Sequence, residues 1–406
     1  MKKIIYLYLS TFLFFVINNT LSATDIIVSQ AGFSPYDTKL FYLVSDKKIS
    51  DTKFLVKNKD GQVILSWEVS LWGKYYENYY YIGDITLLKT EGEYKVVYQG
   101  QESVSFKIKK GLYKSLYSDT INEYFMSQRC GVETKYHKKC HLDDAVTPEK
   151  NKELSGALIL NQDVVYPAGT YIDVTGGWHD VGDYNKYIGN AAVVVGILSI
   201  TFEEFNVKED FNKNNVPDII EEIKFGVEWL LKMQDKDGGV FERVFSGWNY
   251  KGAPEYETDN KIGTNDERFL DTDKYTDIAG RFVAGVAVAA RVLKTYEPDL
   301  AKKCLEAAVK GWQWIEEHPN QYDTIPFSYG RYPGNKTNVF WAAVELYQTT
   351  NDIKYLKFAE EKYREIEAVD GSLNHMSWIY QPIISLVKLY TFSNNNIVKS
   401  EIKKRS

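Results

Sequence analysis

The chain has 406 residues, enough for two domains and a large core, and 15% of them are aromatic, including 31 tyrosines. Its formal net charge of −6, with no basic stripe, argues against nucleic acid and anionic membrane surfaces as partners. An uncharged polymer is compatible with this composition.

Residues 1–23 begin with Lys2 and Lys3, continue through an apolar run from Ile4 to Ile17 and end in Leu21-Ser22-Ala23. That order predicts a secretory signal peptide cleaved after Ala23, so the mature chain is expected to be secreted or periplasmic. The run is short for a membrane span, and no later segment reads as long and apolar enough to cross a bilayer. No membrane partner is therefore expected after cleavage.

Over residues 24–109 short alternating runs predict strands at Leu40–Val44, Thr52–Lys57, Gln62–Trp67, Tyr79–Ile85, Gly92–Tyr98 and Ser103–Ile108. Turn signals such as Asn58-Lys59-Asp60-Gly61 part them, which predicts a small immunoglobulin-like β-sandwich. The segment has no acidic or histidine cluster suited to catalysis, so it reads as a structural module that packs on the next domain, with an independent carbohydrate-binding role as the lesser alternative. The tyrosines from Tyr75 to Tyr81 read as strand and exposed sheet face.

From Leu112 the apolar period becomes about 3.6, and residues 110–406 are expected to be all-α. Eight helices are expected. They lie near 113–128 and 184–206, between Pro217 and Gly238-Gly239, over Ala279–Leu293, and near 299–317, 337–349, 353–367 and 375–392. Nearly all-apolar members alternate with more polar ones, as the inner and outer helices of an (α/α) barrel would. The polar tail Ser393–Ser406 shows no core face of helical period.

Within this part Gly176–Tyr187 reads GGWHDVGDYNKY and sets Asp180 and Asp183 three residues apart among glycines and aromatics. A loop entering a helix at Tyr184 would place both carboxylates beside its N-terminus, where free amides and the dipole favour the ionised form. Two such acids converging on a water could hold it and take its proton. For an isolated D-x-x-D, an N-cap and a turn residue are the plainer roles.

Cys130, Cys140, His141 and His179 form a second constellation. Two thiolates and two imidazoles suit a closed, structural zinc site. The spacing is unlike a compact finger, and by itself favours a Cys130–Cys140 disulfide in an exported protein. The remaining residues have plainer readings. Cys304 reads as a small buried hydrophobe, and His137, His318 and His375 as isolated histidines. Asp266, Glu267, Asp271 and Asp273 read as solvated loop carboxylates, with calcium as the alternative. Tyr184, Trp248 and Trp341 are candidate substrate contacts, with Tyr250 and Trp378 as further aromatics, although tryptophans on barrel helices are often core.

The GGWHDVGDYNKY segment resembles the D-A-G-D-Y motif of glycoside hydrolase family 9, an inverting cellulase family, with Val181 in place of the usual alanine. Ile26–Pro35 (IIVSQAGFSP), Gln128–Ala145 (QRCGVETKYHKKCHLDDA), Val216–Gln234, Asp237–Val244 and Phe340–Tyr347 resemble further segments of the branch with an immunoglobulin-like module. The resemblance implies Asp183 as general base and Asp180 as the residue that positions the nucleophilic water. It also implies a zinc held by Cys130, Cys140, His141 and His179, frequent calcium binding, a barrel of twelve helices and a β-1,4-glucan substrate.

The family's C-terminal histidine- and arginine-bearing segment and its acid glutamate find no match here. The barrel is therefore expected to be incomplete at its C-terminus, with a missing C-terminal fragment as a partner. Loss of the acid would remove roughly two to four orders of magnitude in rate on an unactivated leaving group. Two alternatives follow, an inactive or vestigial β-glucan-binding protein and an exo-acting glucosaminidase-type relative that shares the motif. A polysaccharide lyase on a similar barrel would need a Tyr/His or Arg/His pair around an acidic sugar, to which the segment around Asp180 does not point.

Overall fold

The computed structural model describes residues 24–154, 157–159, 165–247, 252–322, 337–365 and 382–405. They fall into two compact units divided between Ser118 and Asp119. Residues 1–23, expected to be a signal peptide, Trp248, Tyr250, His375 and Trp378 lie outside the described residues, as does the start of the helix expected over 375–392.

The first unit holds β1 (Thr24–Ile27), β2 (Leu40–Ser45), β3 (Lys53–Asn58), β4 (Val63–Glu68), β5 (Ser70–Tyr75), β6 (Asn78–Asp84), β7 (Gly92–Tyr98), β8 (Gln101–Glu102) and β9 (Phe106–Ile108). One antiparallel sheet has the order β1-β2-β6-β5; the other has the order β4-β3-β7-β8, with β9 also on β7. Alternation builds the core. Phe41 and Leu43 of β2 point inward while Tyr42 points out, and Phe54, Val56, Val96 and Phe106 complete the buried layer. The Phe41 and Phe54 rings meet edge to face at 4.8 Å. Strand β5 escapes the sequence pattern because Trp72 is the extra residue of a bulge between Leu71 and Gly73, which breaks the alternation.

The chain continues through α1 (Leu112–Asp119), a π-helical segment Thr120–Phe125, α2 (Met126–Gln128) and a short hairpin of β10 (Lys152–Leu154) and β11 (Ala157–Ile159). After β12 (Lys186–Tyr187) come α3 (Ile188–Phe205), α4 (Asp218–Lys232), β13 (Arg243–Phe245) and β14 (Phe269–Asp271). The last helices are α5 (Thr276–Leu293), α6 (Pro298–Glu317), α7 (Thr337–Thr350), α8 (Ile353–Lys362), α9 (Pro382–Phe392) and α10 (Asn396–Arg405). Helices α3, α5, α7 and α9 pack side by side, and α4, α6, α8 and α10 lie against them as a second row. This is the double-layered wall of an (α/α) barrel.

Helix α5 is buried almost all round because small residues let its neighbours close on it. A Cβ at Gly285 would lie 2.5 Å from the Ala192 carbonyl oxygen of α3, and one at Gly280 would lie 2.8 Å from the Asn338 backbone of α7. Glu345 of α7 ties three helices of the first row together. It accepts from Lys388 of α9 at 2.7 and 2.8 Å and from Arg291 of α5 at 2.8 Å. Burial alone would raise its carboxyl, but the two cations hold it below the ordinary glutamate range.

Three expectations change. The tail does have a core face, since α10 buries Val398 and Ile402, and Glu401 pairs with Arg364 at 2.7 and 2.8 Å. Two apolar positions four apart are too few to register as a period. Helix α3 is by length and composition apolar enough to cross a bilayer, against the expectation that no segment after residue 23 is; it packs on α4 and α5. It also begins at Ile188 rather than Tyr184, because Lys186 and Tyr187 pair with Val244 and Arg243 as strand β12.

Candidate active site and metal centre

Asp180 and Asp183 sit on the loop that leads into β12, the first strand of a small β12-β13-β14 sheet. The loop closes on itself through Asp180 N to Asn185 O at 2.8 Å and Tyr184 N to Val181 O at 3.1 Å. Tyr184, at its tip, takes a left-handed φ of 60° rather than a helical one. The Arg268 guanidinium donates to its carbonyl, and its hydroxyl donates to the Gly252 carbonyl, so the unusual conformation is held from both sides.

The helix amides are not what holds either carboxylate, because β12 stands between the loop and α3: Asp180 meets the first turn of α3 only through a side chain, that of Asn190. Asp183 is buried and accepts from Asn185 N at 3.2 Å and Asn185 Nδ2 at 2.8 Å. Asp180 is half-buried and accepts from Asn190 Nδ2 at 2.8 Å. Burial raises both carboxyls above the ordinary aspartate value. Asn190 opposes the rise at Asp180; at Asp183 Asn185 opposes it while Asp180 and Glu257 add to it. The expected helix-stabilised, easily ionised pair is thus corrected to a pair with raised proton affinity. Such a group is a stronger base than a solvated aspartate wherever the pH keeps it ionised. Asp180 opens on a cavity of about 110 Å³ lined also by Tyr124, Gln128, Trp178, Tyr187 and Asn190.

Cys130, Cys140, His141 and His179 converge beside this loop. All four are buried, and one ligand atom from each lies within 4.8 Å of the others. Cys130 Sγ is 3.5 Å from His141 Nδ1, and Cys140 Sγ is 3.7 Å from His179 Nε2. Both cysteines are free thiols, so the disulfide that spacing favours is not formed. Burial disfavours charge on Cys130, but the bond from Cys140 and the nearby Lys186, His179 and His141 hold its thiol well below the ordinary value. Cys140, whose thiol is hydrogen-bonded to that sulfur and buried, is pushed up. One proton shared by two converging sulfurs is the state a thiophilic cation displaces, and the donor set fits a closed tetrahedral metal site.

The residues that join the two constellations carry no sequence signal. Glu257 Oε2 lies 2.9 Å from His141 Nε2, although 116 positions separate them. Its other oxygen accepts from the Ser246 hydroxyl, and Ser246 N donates to Asn185 Oδ1 at 3.1 Å. With Asn185 Nδ2 on Asp183, a continuous hydrogen-bonded line runs from His141 to Asp183. Beneath it, buried Asp144 accepts from Arg268 Nε at 2.7 Å and faces Lys186 Nζ at 2.7 Å. Lys186 also donates to the carbonyls of Val174 and Gly176 at 3.0 and 2.9 Å, pinning the turn that delivers Trp178 and His179.

The other candidates separate. The Tyr184 ring lies 5.1 Å from that of His179, against the metal cluster. Trp341 is corrected to a core residue: it is fully buried, its indole N–H donates to Glu345 at 3.1 Å, and its ring fills the space over Gly196 of α3. His137 is buried with its ring 5.8 Å from that of His179, so it is not isolated. Asp266, Glu267, Asp271 and Asp273 do not converge as a calcium set, because Asp271 pairs with Arg243 at 3.1 Å and Glu267 accepts the Gly263 and Thr264 amides. Asp266 instead joins Asp143 and Asp259, with one oxygen of each within 4.8 Å of the others. Asp143 Oδ2 is buried without a hydrogen-bond partner, which suits a hard cation.

The helical unit and the module both match known families. The glycosyl hydrolase family 9 model matches residues 113–405, and the model of the cellulase N-terminal Ig-like domain matches residues 22–103. Endoglucanase D of Acetivibrio thermocellus is 30% identical over 359 residues, covering 82% of this chain and 53% of that protein. A cellodextrinase of Butyrivibrio fibrisolvens is 31% identical over 314 residues, covering 71% and 52%. The chain thus spans about half the length of these curated relatives. Among solved structures, a metagenome-derived glycoside hydrolase family 9 endoglucanase superposes with a TM-score of 0.70 at 24% identity, over 94% of this chain and 71% of that one. A Zn-binding triple mutant of the family 9 endoglucanase J30 gives 0.68 at 24% identity, over 92% and 70%. With a family match along the whole helical unit and an Ig-like cellulase module before it, this chain belongs to glycosyl hydrolase family 9.

Proposed function

We propose that the chain carries the base half of an exported, inverting β-1,4-glucanase, in which Asp183 takes the proton of a water oriented by Asp180. The observation that supports this most is the pair of buried carboxyls with raised proton affinity on one loop, with Asp180 facing a cavity. The names of the endoglucanase and cellodextrinase relatives support the substrate class. Residues 1–23 supply the export signal.

Cys130, Cys140, His141 and His179 would hold one zinc, whose role with four protein ligands is structural. Holding His179 would fix the backbone of Asp180. Holding His141 would steady Glu257, Ser246 and Asn185, and so the carboxylate of Asp183. Asp143, Asp259 and Asp266 would take calcium. The acid would come from a further segment packed on α9, where Val387 and Tyr390 are exposed.

A second reading, a β-glucan-binding chain without turnover, is favoured by two of the buried glutamates. Against their burial, Glu257 is held below the ordinary glutamate range by His141, Arg268 and Ser246, and Glu345 by Arg291 and Lys388. Both are the opposite of a proton donor. An activated substrate separates the readings. In 2,4-dinitrophenyl β-cellobioside the leaving group departs without a proton, so the base half suffices. The first reading expects dinitrophenolate release, with much slower cleavage of unactivated glucan; the second expects neither.

The same assay tests Asn185. Its Nδ2 bond favours the ionised form of Asp183, so Asn185→Ala is expected to move the acid limb of the kcat/KM profile to higher pH. A limb that stays in place would deny Asn185 that role.

A further inference from the structure

The outer face of the β1-β2-β6-β5 sheet breaks the rule that a solvent-facing sheet surface is polar. Register places Ile27 opposite Tyr42, Tyr42 opposite Ile82, and Gly73 beside Tyr80, so these side chains share the outward face. The bulge residue Trp72 joins them, its ring 6.2 Å from that of Tyr80 at 80°, and Tyr75 meets Tyr80 at 6.5 Å. Tyr80 therefore braces two aromatic rings that stay open to solvent, with 65% of Trp72 and 50% of Tyr75 exposed. Among the described residues, charged side chains stand on this face only near its ends, at Asp25 and Asp84. A bulge that turns a tryptophan outward on an edge strand is a feature of position rather than of packing, because no core is gained by it.

We propose that this face is a binding platform for an uncharged β-linked glucan chain, separate from the Asp183 site. A neutral surface offers nothing to a charged polymer, whereas indole and phenol rings cover the apolar faces of sugar rings, and phenol hydroxyls reach the sugar hydroxyls at their edges. Four strands spread over roughly 14 Å, the length of a few sugar residues. Rings already braced in place lose little freedom on binding. The module thus has a role beyond the structural one expected of it from sequence. The proposal rests on the β-glucan reading of the substrate class and is independent of turnover.

Retention of the full chain on amorphous cellulose tests it, with dinitrophenolate release measured on the same preparations. Trp72→Ala is expected to weaken retention about tenfold, and Tyr80→Ala to weaken it as well. Trp72→Tyr, which keeps a ring, is expected to restore most of the loss, and Tyr36→Ala, an exposed aromatic in the turn before β2, to change nothing. Dinitrophenolate release is expected to be the same in all of them, and an inactive parent that is retained through Trp72 would leave the platform standing. Equal retention of parent and Trp72→Ala would overturn it, as would a parent that is not retained at all. So would sedimentation showing that Trp72→Ala splits a dimer while retention is unchanged, since the face would then be a contact between copies.

Discussion

Asp183→Asn is expected to lower dinitrophenolate release from 2,4-dinitrophenyl β-cellobioside by about 10²–10⁴-fold, in kcat rather than KM. The amide keeps the size of the carboxylate but cannot take a proton from water. Its fold should survive. The Asp183 carboxyl is raised in the folded state, so the folded chain binds more protons than the unfolded one between the ordinary aspartate value and the raised value. Stability therefore falls as pH rises through that window, and at neutral pH the ionised Asp183 is a destabilising group. Removing its charge is expected to leave the melting temperature at pH 7 unchanged or slightly higher. Loss of activity with a lowered melting temperature would mean that Asp183 is structural, and unchanged activity would place the base elsewhere.

Chelation of the proposed zinc, or Cys140→Ser, is expected to destabilise the helical unit by several kcal/mol and to lower its melting temperature by about 10 °C or more. The four ligands come from the segments around Cys130, Cys140-His141 and His179, and without a cation they leave converging thiols and imidazoles in a buried space. The β-sandwich has its own core and is expected to melt as before, so calorimetry should show one transition moving and one staying. Metal analysis is expected to find about one zinc per chain in this set. Cys304→Ala, on α6, is the control and should leave metal content unchanged. A peptide with Cys130 linked to Cys140 would contradict this, as would a metal-free chain with the parent's melting temperature.

Much of this arrangement is legible in the sequence because it is local. The inward residues of β2 and β3 alternate, α4 and α5 show helical period, and Asp180, Asp183 and His179 share one short segment. The candidate metal set is legible through two adjacencies, Cys140 with His141 and His179 with Asp180. What stays hidden is set by the fold. Glu257 reaches His141 across 116 positions, and Arg268 reaches Asp144 across 124. No composition or period can announce such pairs. Trp341 looks like a sugar contact until Gly196 of α3 is seen to leave room for its ring. The environment of Asp183 is hidden for a related reason: pairing with β13 draws Lys186 and Tyr187 out of the helix, and burial replaces the helix amides as the dominant influence.

The configuration of the first sugar product tests the single-displacement chemistry most directly. Proton NMR at early times, before the anomers equilibrate, can follow cellobiose released from 2,4-dinitrophenyl β-cellobioside. A water activated by Asp183 and attacking opposite the leaving group gives the α-anomer first. Appearance of the β-anomer first would mean a covalent intermediate and would contradict Asp183 as the base of an inverting reaction.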